Sequence, residues 1–333
     1  MSVRVLDCTL RDGAHINEGR FGSSTIVEVI SSLIEANIDL IEIGFLEDCE
    51  YSQGFTYFDE VFQAEAILNN ILKNSSKIGM MLRTDRCSFD KLVASNSLDF
   101  IRISFYREHM PQVKDYAKKI IELGYELYLN PIAITTYSED EIRRMISELN
   151  LIAPSGVSVV DTFGALTKSQ FDDVFEIFDR LLSGSITLGV HLHENLSSSL
   201  QLATSVVSNC KRDMIIDTSI AGMGRVPGNL PTELIADYLN RHNGKKYDIG
   251  KIIKVSDEHI VDFKQVNTWG YNSIYMYSAM LNIDRSFPEY FEKMWYNVLQ
   301  NLELQGMVKE LGFGNRFFRK NADAVISKAS FDI

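Results

Sequence analysis

The 333-residue chain carries a formal net charge of -12, with 45% hydrophobic and 23% charged residues. That balance suits a globular protein with a sizeable core, and the acidity, with no basic stripe, argues against nucleic-acid or anionic-membrane binding. Four scattered cysteines (Cys8, Cys49, Cys87 and Cys210) form no Cys-x-x-Cys pair. With no signal-like N-terminus and no apolar run near the roughly 20 residues of a membrane span, the expected location is the cytoplasm.

Short apolar runs of strand character recur along the chain: Val3 to Leu10, Leu40 to Leu46, Lys77 to Leu82, Phe100 to Tyr106, Tyr125 to Ile134, Gly156 to Phe163, Ile186 to His193 and Met214 to Ile220. Between them lie amphipathic stretches at helical spacing, such as Ser24 to Asn37, Gln112 to Leu123, Glu139 to Leu149, Gln170 to Leu182 and Leu196 to Val207. Ser138 and Thr167 precede helix-like runs as capping residues, and Gly124 and Gly184 follow such runs as stops. Eight strand-helix units over about 240 residues predict a (β/α)8 TIM barrel, which needs about 250. A doubly wound open sheet would carry a glycine-rich turn after an early strand, and Leu10-Arg11-Asp12-Gly13-Ala14-His15 is not one.

Barrel geometry gives His191-Leu192-His193 its interest. In an extended strand, residues two apart share a face, so both imidazoles can aim at one point. Barrel chemistry sits at the C-terminal strand ends. Arg11 and Asp12 follow the first strand and His191 and His193 close the seventh, with only strand eight between them around the ring. Asp12, His191 and His193 are therefore expected to converge on one rim, and two imidazoles with one carboxylate make a metal-ligand set with open positions.

From residue 245 the alternation stops, and the chain becomes rich in aromatics, including Trp269, Tyr271, Tyr275, Phe287, Phe291 and Trp295. The expected division is a catalytic barrel over 1–244 and a mainly helical accessory region over 245–333. Most of these aromatics are expected in a core, and the tail leaves homo-oligomerisation open.

Leu6-Asp7-Cys8-Thr9-Leu10-Arg11-Asp12-Gly13, His191-Leu192-His193 and Gly222-Met223-Gly224-Arg225-Val226-Pro227-Gly228-Asn229 together resemble the pyruvate-handling metallolyase (DRE-TIM) superfamily. That superfamily contains 4-hydroxy-2-oxovalerate aldolases, hydroxymethylglutaryl-CoA lyases and isopropylmalate or homocitrate synthases. The likeness spans roughly residues 3 to 240. It implies a divalent cation, Mn²⁺ or Mg²⁺ foremost with Co²⁺ or Zn²⁺ as alternatives, on Asp12, His191 and His193, with Asn229 as a further contact. Where the synthases usually carry a glutamine after Arg-Asp-Gly, this chain has Ala14-His15. Where theirs continue His-x-His with Asn-Asp, this one has Glu194-Asn195. The cysteine of the hydroxymethylglutaryl-CoA lyases is absent from Gly222 to Gly228. These features resemble the aldolase branch, in which a histidine at the position of His15 is the acid/base. Gly270-Tyr271-Asn272-Ser273-Ile274-Tyr275 is similar to an aldolase stretch that contributes an active-site tyrosine, either Tyr271 or Tyr275.

The expected activity is therefore aldol cleavage or formation between a pyruvate-like 2-oxo acid and an aldehyde, with small molecules as the partners. Arg11, a permanent planar cation, suits a developing enolate oxygen. His15 suits proton transfer at the 4-hydroxyl because imidazole titrates near working pH. Thr162, at the end of strand six, is a candidate contact for the substrate carboxylate or a capping residue. Two other readings stand beside this one: an acyl-CoA-dependent Claisen condensation on the same metal, and a non-catalytic metal-binding interaction module.

Overall fold

Eight parallel strands close into a ring: β1 (Val3–Asp7), β2 (Leu40–Leu46), β3 (Lys77–Leu82), β4 (Phe100–Phe105), β5 (Glu126–Pro131), β6 (Gly156–Asp161), β7 (Thr187–Leu192) and β8 (Met214–Thr218). β1 pairs with β8 from Val3↔Met214 to Asp7↔Thr218 and with β2 at Leu6↔Leu40, which closes the barrel. This computed structural model describes residues 2–69, 71–266 and 268–329; Met1 and residues 330–333, at the ends of the two expected segments, lie outside the described residues. Among the described residues, no helix is long and apolar enough to cross a membrane.

The helices α1 (Ser23–Glu35), α2 (Val61–Leu68), α3 (Met110–Glu122), α4 (Glu139–Ile152), α5 (Lys168–Leu181) and α6 (Ser199–Asn209) connect the strands, and α7 (Thr232–His242) follows the last of them. They cover the outer face of the sheet, so strands such as β2 and β4 are buried on both faces and read as unbroken apolar runs. Ser138 and Thr167 both form capping boxes, with Glu141 and Gln170. The regular alternation fails once. Between β3 and β4 the chain makes a single 3-10 turn, Phe89–Lys91, in place of a helix. This stretch is rich in Ser, Asp and Asn, which favour local turns. Several of its carbonyls are met from outside: Tyr116 Oη donates to Cys87 O (2.6 Å), Lys119 Nζ to Phe89 O (2.6 Å) and Tyr125 Oη to Val93 O (2.7 Å).

The barrel interior is layered by the two-residue period of its strands. Leu6, Leu40, Phe100, Tyr128 and Ile215 cluster as an apolar floor. Two residues further along the same strands come Glu42, Arg102, Asn130 and Asp217, all buried. The register pairs Gly189 with Ile215, so His191, two positions on, shares the level of Asp217. A polar layer thus sits on an apolar floor, immediately beneath the C-terminal rim.

After α7 the chain is helical: α8 (Ile249–Val255), α9 (Val261–Val266), α10 (Ser273–Met280), α11 (Ser286–Lys293), α12 (Val298–Glu310) and α13 (Arg319–Lys328). A π turn at Ser256–Ile260 joins α8 to α9. Ile283, Phe287, Phe291, Leu304, Val308, Ala322 and Val325 form a second apolar core. Trp295, by contrast, is 94% exposed.

Candidate active site and metal centre

Asp12 reaches the rim because the chain leaves β1 directly into a short helix, Thr9–Asp12, all four residues of which are buried. His191 is on β7, while His193 lies just past it and bridges to Asn229 in the loop after β8. Asp12, His191 and His193 offer ligand atoms within 4.8 Å of one another, and among the described residues they are the one such group of three or more. The loop Gly222–Asn229 can close over Asp12 because it lacks side chains where it passes. A Cβ on Gly224 would lie 2.3 Å from Asn229 Nδ2 and 2.9 Å from Asp12 Oδ2.

Hydrogen bonds fix which ring nitrogens are free. His193 Nδ1 lies 2.7 Å from the Asp161 carbonyl, which only accepts, so Nδ1 carries the proton. His191 Nδ1 lies 3.1 Å from Asp217 Oδ2 and is held as the donor in the same way. Both Nε2 atoms are left as lone-pair donors, the arrangement that outer carboxylates and carbonyls impose on metal-bound histidines. Burial, with Arg285 and His191 nearby, pushes the His193 pKa well down and keeps the ring neutral. Burial opposes charge on Asp12, yet Arg11 and the neighbouring imidazoles hold its carboxyl well below the usual range.

Two buried atoms here have no hydrogen-bond partner, His193 Nε2 and Asn229 Oδ1. An unmet buried polar atom is costly, and a cation held by Asp12 and the two imidazoles would satisfy His193 Nε2. Asn229 Nδ2 donates to Asp12 Oδ2 and to Met223 O, which turns Oδ1 away from those partners. The donor set therefore fits a divalent cation, and its nitrogen and oxygen atoms suit Mn²⁺, Mg²⁺, Co²⁺ and Zn²⁺ alike.

Arg11 donates through Nε to Glu42 Oε2 (2.6 Å) and through Nη1 to Asp12 Oδ1 (2.8 Å). Glu42 also takes Arg102 Nη1 at 3.4 Å, and Arg102 Nη2 bonds Asp217. A buried chain of charges thus runs Asp12–Arg11–Glu42–Arg102–Asp217–His191, joining one candidate ligand to another through the barrel interior. Breaking a buried pair by removing one partner costs about 3–5 kcal/mol, so this chain holds both candidate ligands in place. Sequence reasoning missed Glu42, Arg102 and Asp217. The available signal was a charged residue inside each of three otherwise apolar strand runs.

A cavity of about 390 Å³ opens over the cluster, lined by Arg11, Asp12, His15, His191 and His193 from the barrel and by Arg285, Ser286 and Glu289 from the helical region. His15 Nε2 is 3.8 Å from Asp12 Oδ1, and its side chain is 31% exposed. Burial lowers the pKa of His15, Asp12 opposes this, and Arg225, Arg11 and Arg285 add to the lowering, so its imidazole is neutral. Thr162 lines the cavity, and its Oγ1 accepts from Ala133 N (2.6 Å), leaving its own hydroxyl hydrogen free to donate.

The tyrosines are placed elsewhere. Tyr271 is 66% exposed, Tyr275 Oη donates to Glu292 Oε2 (2.7 Å), and neither lines the cavity. The helix carrying Tyr275 packs on α12, which directs its hydroxyl into the helical region. Tyr106, at the end of β4, lines the cavity instead. The sequence reading also passed over Arg225, Arg285 and Glu289. Arg225 Nε donates to Glu289 Oε2 (2.9 Å) and Arg225 Nη2 to Ser286 Oγ (2.7 Å), which ties the loop after β8 to α11.

Known proteins share this architecture. A protein from Bacteroides vulgatus assigned as an aldolase superposes through its N-terminal domain with a TM-score of 0.76 and 25% identity, over 90% of this chain and 99% of that one. The HMG-CoA lyase of Brucella melitensis shares the fold at a TM-score of 0.64 and 14% identity, over 80% and 98%. In sequence, the chain is 25% identical over 292 residues to the 4-hydroxy-2-oxovalerate aldolase of Carboxydothermus hydrogenoformans, spanning 82% of this chain and 84% of the relative. It is 24% identical over 249 residues to 4-hydroxy-2-oxovalerate aldolase 6 of Rhodococcus jostii, spanning 72% and 68%. The HMGL-like family pattern matches residues 2–258, and the chain belongs to that family.

Proposed function

We propose that this protein is a divalent-metal-dependent aldolase. Its reaction makes or breaks the bond between the methyl carbon of pyruvate, or a similar 2-oxo acid, and an aldehyde carbon. The observation that carries the reading is the meeting of the Asp12, His191 and His193 ligand atoms within 4.8 Å at the rim that also presents Arg11 to the cavity. Relatives named 4-hydroxy-2-oxovalerate aldolase support the reaction class. We take residues 1–244 as the catalytic barrel and 245–333 as its helical cap.

A cation held by Asp12, His191 and His193, with Asn229 beside them, supplies Lewis-acid polarisation of the 2-oxo group. The remaining work falls to side chains. Arg11 spends Nε and Nη1 on Glu42 and Asp12, which leaves Nη2 to hydrogen-bond the enolate oxygen as charge develops there. Because the buried carboxylates fix the guanidinium beforehand, little reorganisation is needed during the reaction. His15, neutral and facing the cavity, takes the proton from the 4-hydroxyl in cleavage and returns it in condensation. Thr162 donates its hydroxyl hydrogen to the substrate carboxylate. Mn²⁺ and Mg²⁺ are the first metals to supply.

The test is deuterium exchange into the methyl group of pyruvate by the metal-loaded protein, followed by cleavage of a 4-hydroxy-2-oxo acid. Both should depend on added metal. Failure of exchange and cleavage with pyruvate and with other 2-oxo acids would remove this function.

A further inference from the structure

Among the described residues, one charged group lining the cavity makes no ion pair. Arg285, 6% exposed, lines the cavity from the start of α11. Among the described residues its guanidinium makes one hydrogen bond, Nη1 to the Arg225 carbonyl at 3.3 Å, and no carboxylate lies within 4.0 Å of it. The carboxylates around it are engaged elsewhere. Asp284 accepts from the backbone of Ser286 and Phe317, Glu289 is taken by Arg225 and Lys293, and Asp161 accepts from the backbone of Ala165 and Leu166. Burial and the neighbouring Arg225 lower the Arg285 pKa, and Asp12, Asp284 and Glu289 oppose this, which leaves it at about 10 and cationic at neutral pH.

The charge balance of the site shows what is missing. Asp12, Glu42 and Asp217 face Arg11 and Arg102 in the interior chain. A dication leaves that group with one excess positive charge, which the carboxylate of the 2-oxo acid cancels. Arg225 and Glu289 cancel each other. Arg285 remains without an ion-pair partner: the adjacent Asp284 is turned to the backbone of Ser286 and Phe317, and a neutral aldehyde offers no pair either. Arg285 also enters the cavity from the helical region, at the start of α11, and not from a barrel strand.

We propose that Arg285 binds an anionic group, carboxylate or phosphate, at the far end of the aldehyde partner. The cleaved substrate is then a 4-hydroxy-2-oxo acid bearing a second anion, an assignment that rests on the aldolase reading above. The step balances without a co-reactant. The 2-oxo acid methyl loses a proton, its carbon bonds the aldehyde carbon, and the former carbonyl oxygen takes up a proton. A buried guanidinium is suited to such recognition because its fork pairs with two oxygens at once.

The experiment compares kcat/KM for pyruvate addition to matched acceptors: succinic semialdehyde against butanal, and glycolaldehyde phosphate against propanal. The native enzyme should favour one anionic acceptor at least ten-fold, and the favoured arm tells carboxylate from phosphate. R285M should remove that preference by lowering the anionic rate far more than the neutral one, and R285K should restore part of it. Equal rates on both classes in the native enzyme, or equal losses on both in R285M, would overturn the proposal. Pyruvate-methyl exchange is measured alongside, since it needs no aldehyde. If exchange is absent the aldolase reading fails, and calorimetry with ethyl phosphate and propionate then decides the anion site alone. Binding at least ten-fold weaker in R285M upholds it, and equal binding refutes it.

Discussion

Asp217 holds two partners that do different jobs: its Oδ2 accepts from Arg102 and lies 3.1 Å from Nδ1 of His191. The carboxylate thereby sets the tautomer of a candidate metal ligand while neutralising a guanidinium at the barrel centre. D217N keeps the shape and removes the charge. Metal affinity should fall roughly 10- to 100-fold, the usual effect of disturbing the group behind a ligating histidine. Calorimetric titration with Mn²⁺ checks this, and unchanged affinity in a folded D217N protein would contradict it.

Arg11 is bonded on both sides, so its removal has two consequences that substitution can separate. R11A leaves Glu42 with only the 3.4 Å contact to Arg102, and should cost about 3–5 kcal/mol of stability, as loss of one partner from a buried pair does. R11K keeps a positive charge and loses the planar fork. Its turnover should drop on the order of 10²- to 10³-fold with a smaller loss of stability. Urea denaturation and steady-state kinetics on the two variants give the comparison. Near-native cleavage by R11K would remove Arg11 from its assigned role.

The barrel, the helical tail and the three ligand candidates were legible because strand runs bounded by capped helices have a fixed period, and that period places Asp12 and His193 on one rim. The charges beneath were not read, because Glu42, Arg102 and Asp217 sit in strands whose other residues are apolar. Their meaning depends on pairing across the ring, which no local pattern states. The missing β3–β4 helix was averaged into the count, although Ser88, Asp90, Ser95, Asn96 and Ser97 marked it. Arg285 and Glu289 lay beyond reach for another reason. The tail has no repeat to say which of its faces meets the barrel, and the same gap let Tyr271 and Tyr275 be expected in the cavity.

His15 can be tested by splitting the reaction. Its assigned work is at the 4-hydroxyl, which is absent when pyruvate enolises alone. H15A should slow aldol cleavage by about 10²- to 10⁴-fold, the range for losing a general acid or base, and should slow methyl deuterium exchange far less. If both fall together, His15 acts on the 2-oxo acid itself.

Gly224 tests the loop over the candidate metal centre. Its backbone is not in a left-handed conformation, so alanine brings no torsional strain, and its Cβ would meet Asn229 Nδ2 at 2.3 Å and Asp12 Oδ2 at 2.9 Å. Something must move, and the nearest groups are a candidate ligand and its neighbour. G224A should weaken Mn²⁺ binding roughly 10-fold or more while the fold persists. The far-UV circular dichroism spectrum and a metal titration read the two effects separately.

The tie between Arg225 and Glu289 predicts how acid acts on the cap. Burial works against charge on Glu289, yet Arg225 and Lys293 hold its pKa down to about 2, against 4.5 for an unperturbed glutamate. A carboxylate depressed in the folded state stabilises fully above its unfolded pKa, and that contribution drains away as pH falls from 4.5 through 2. Native protein should therefore exceed E289Q in urea midpoint at pH 6, and the gap should narrow by pH 3. A gap of the same size at both pH values would mean that the ion pair adds nothing to the docking of α11 on the barrel.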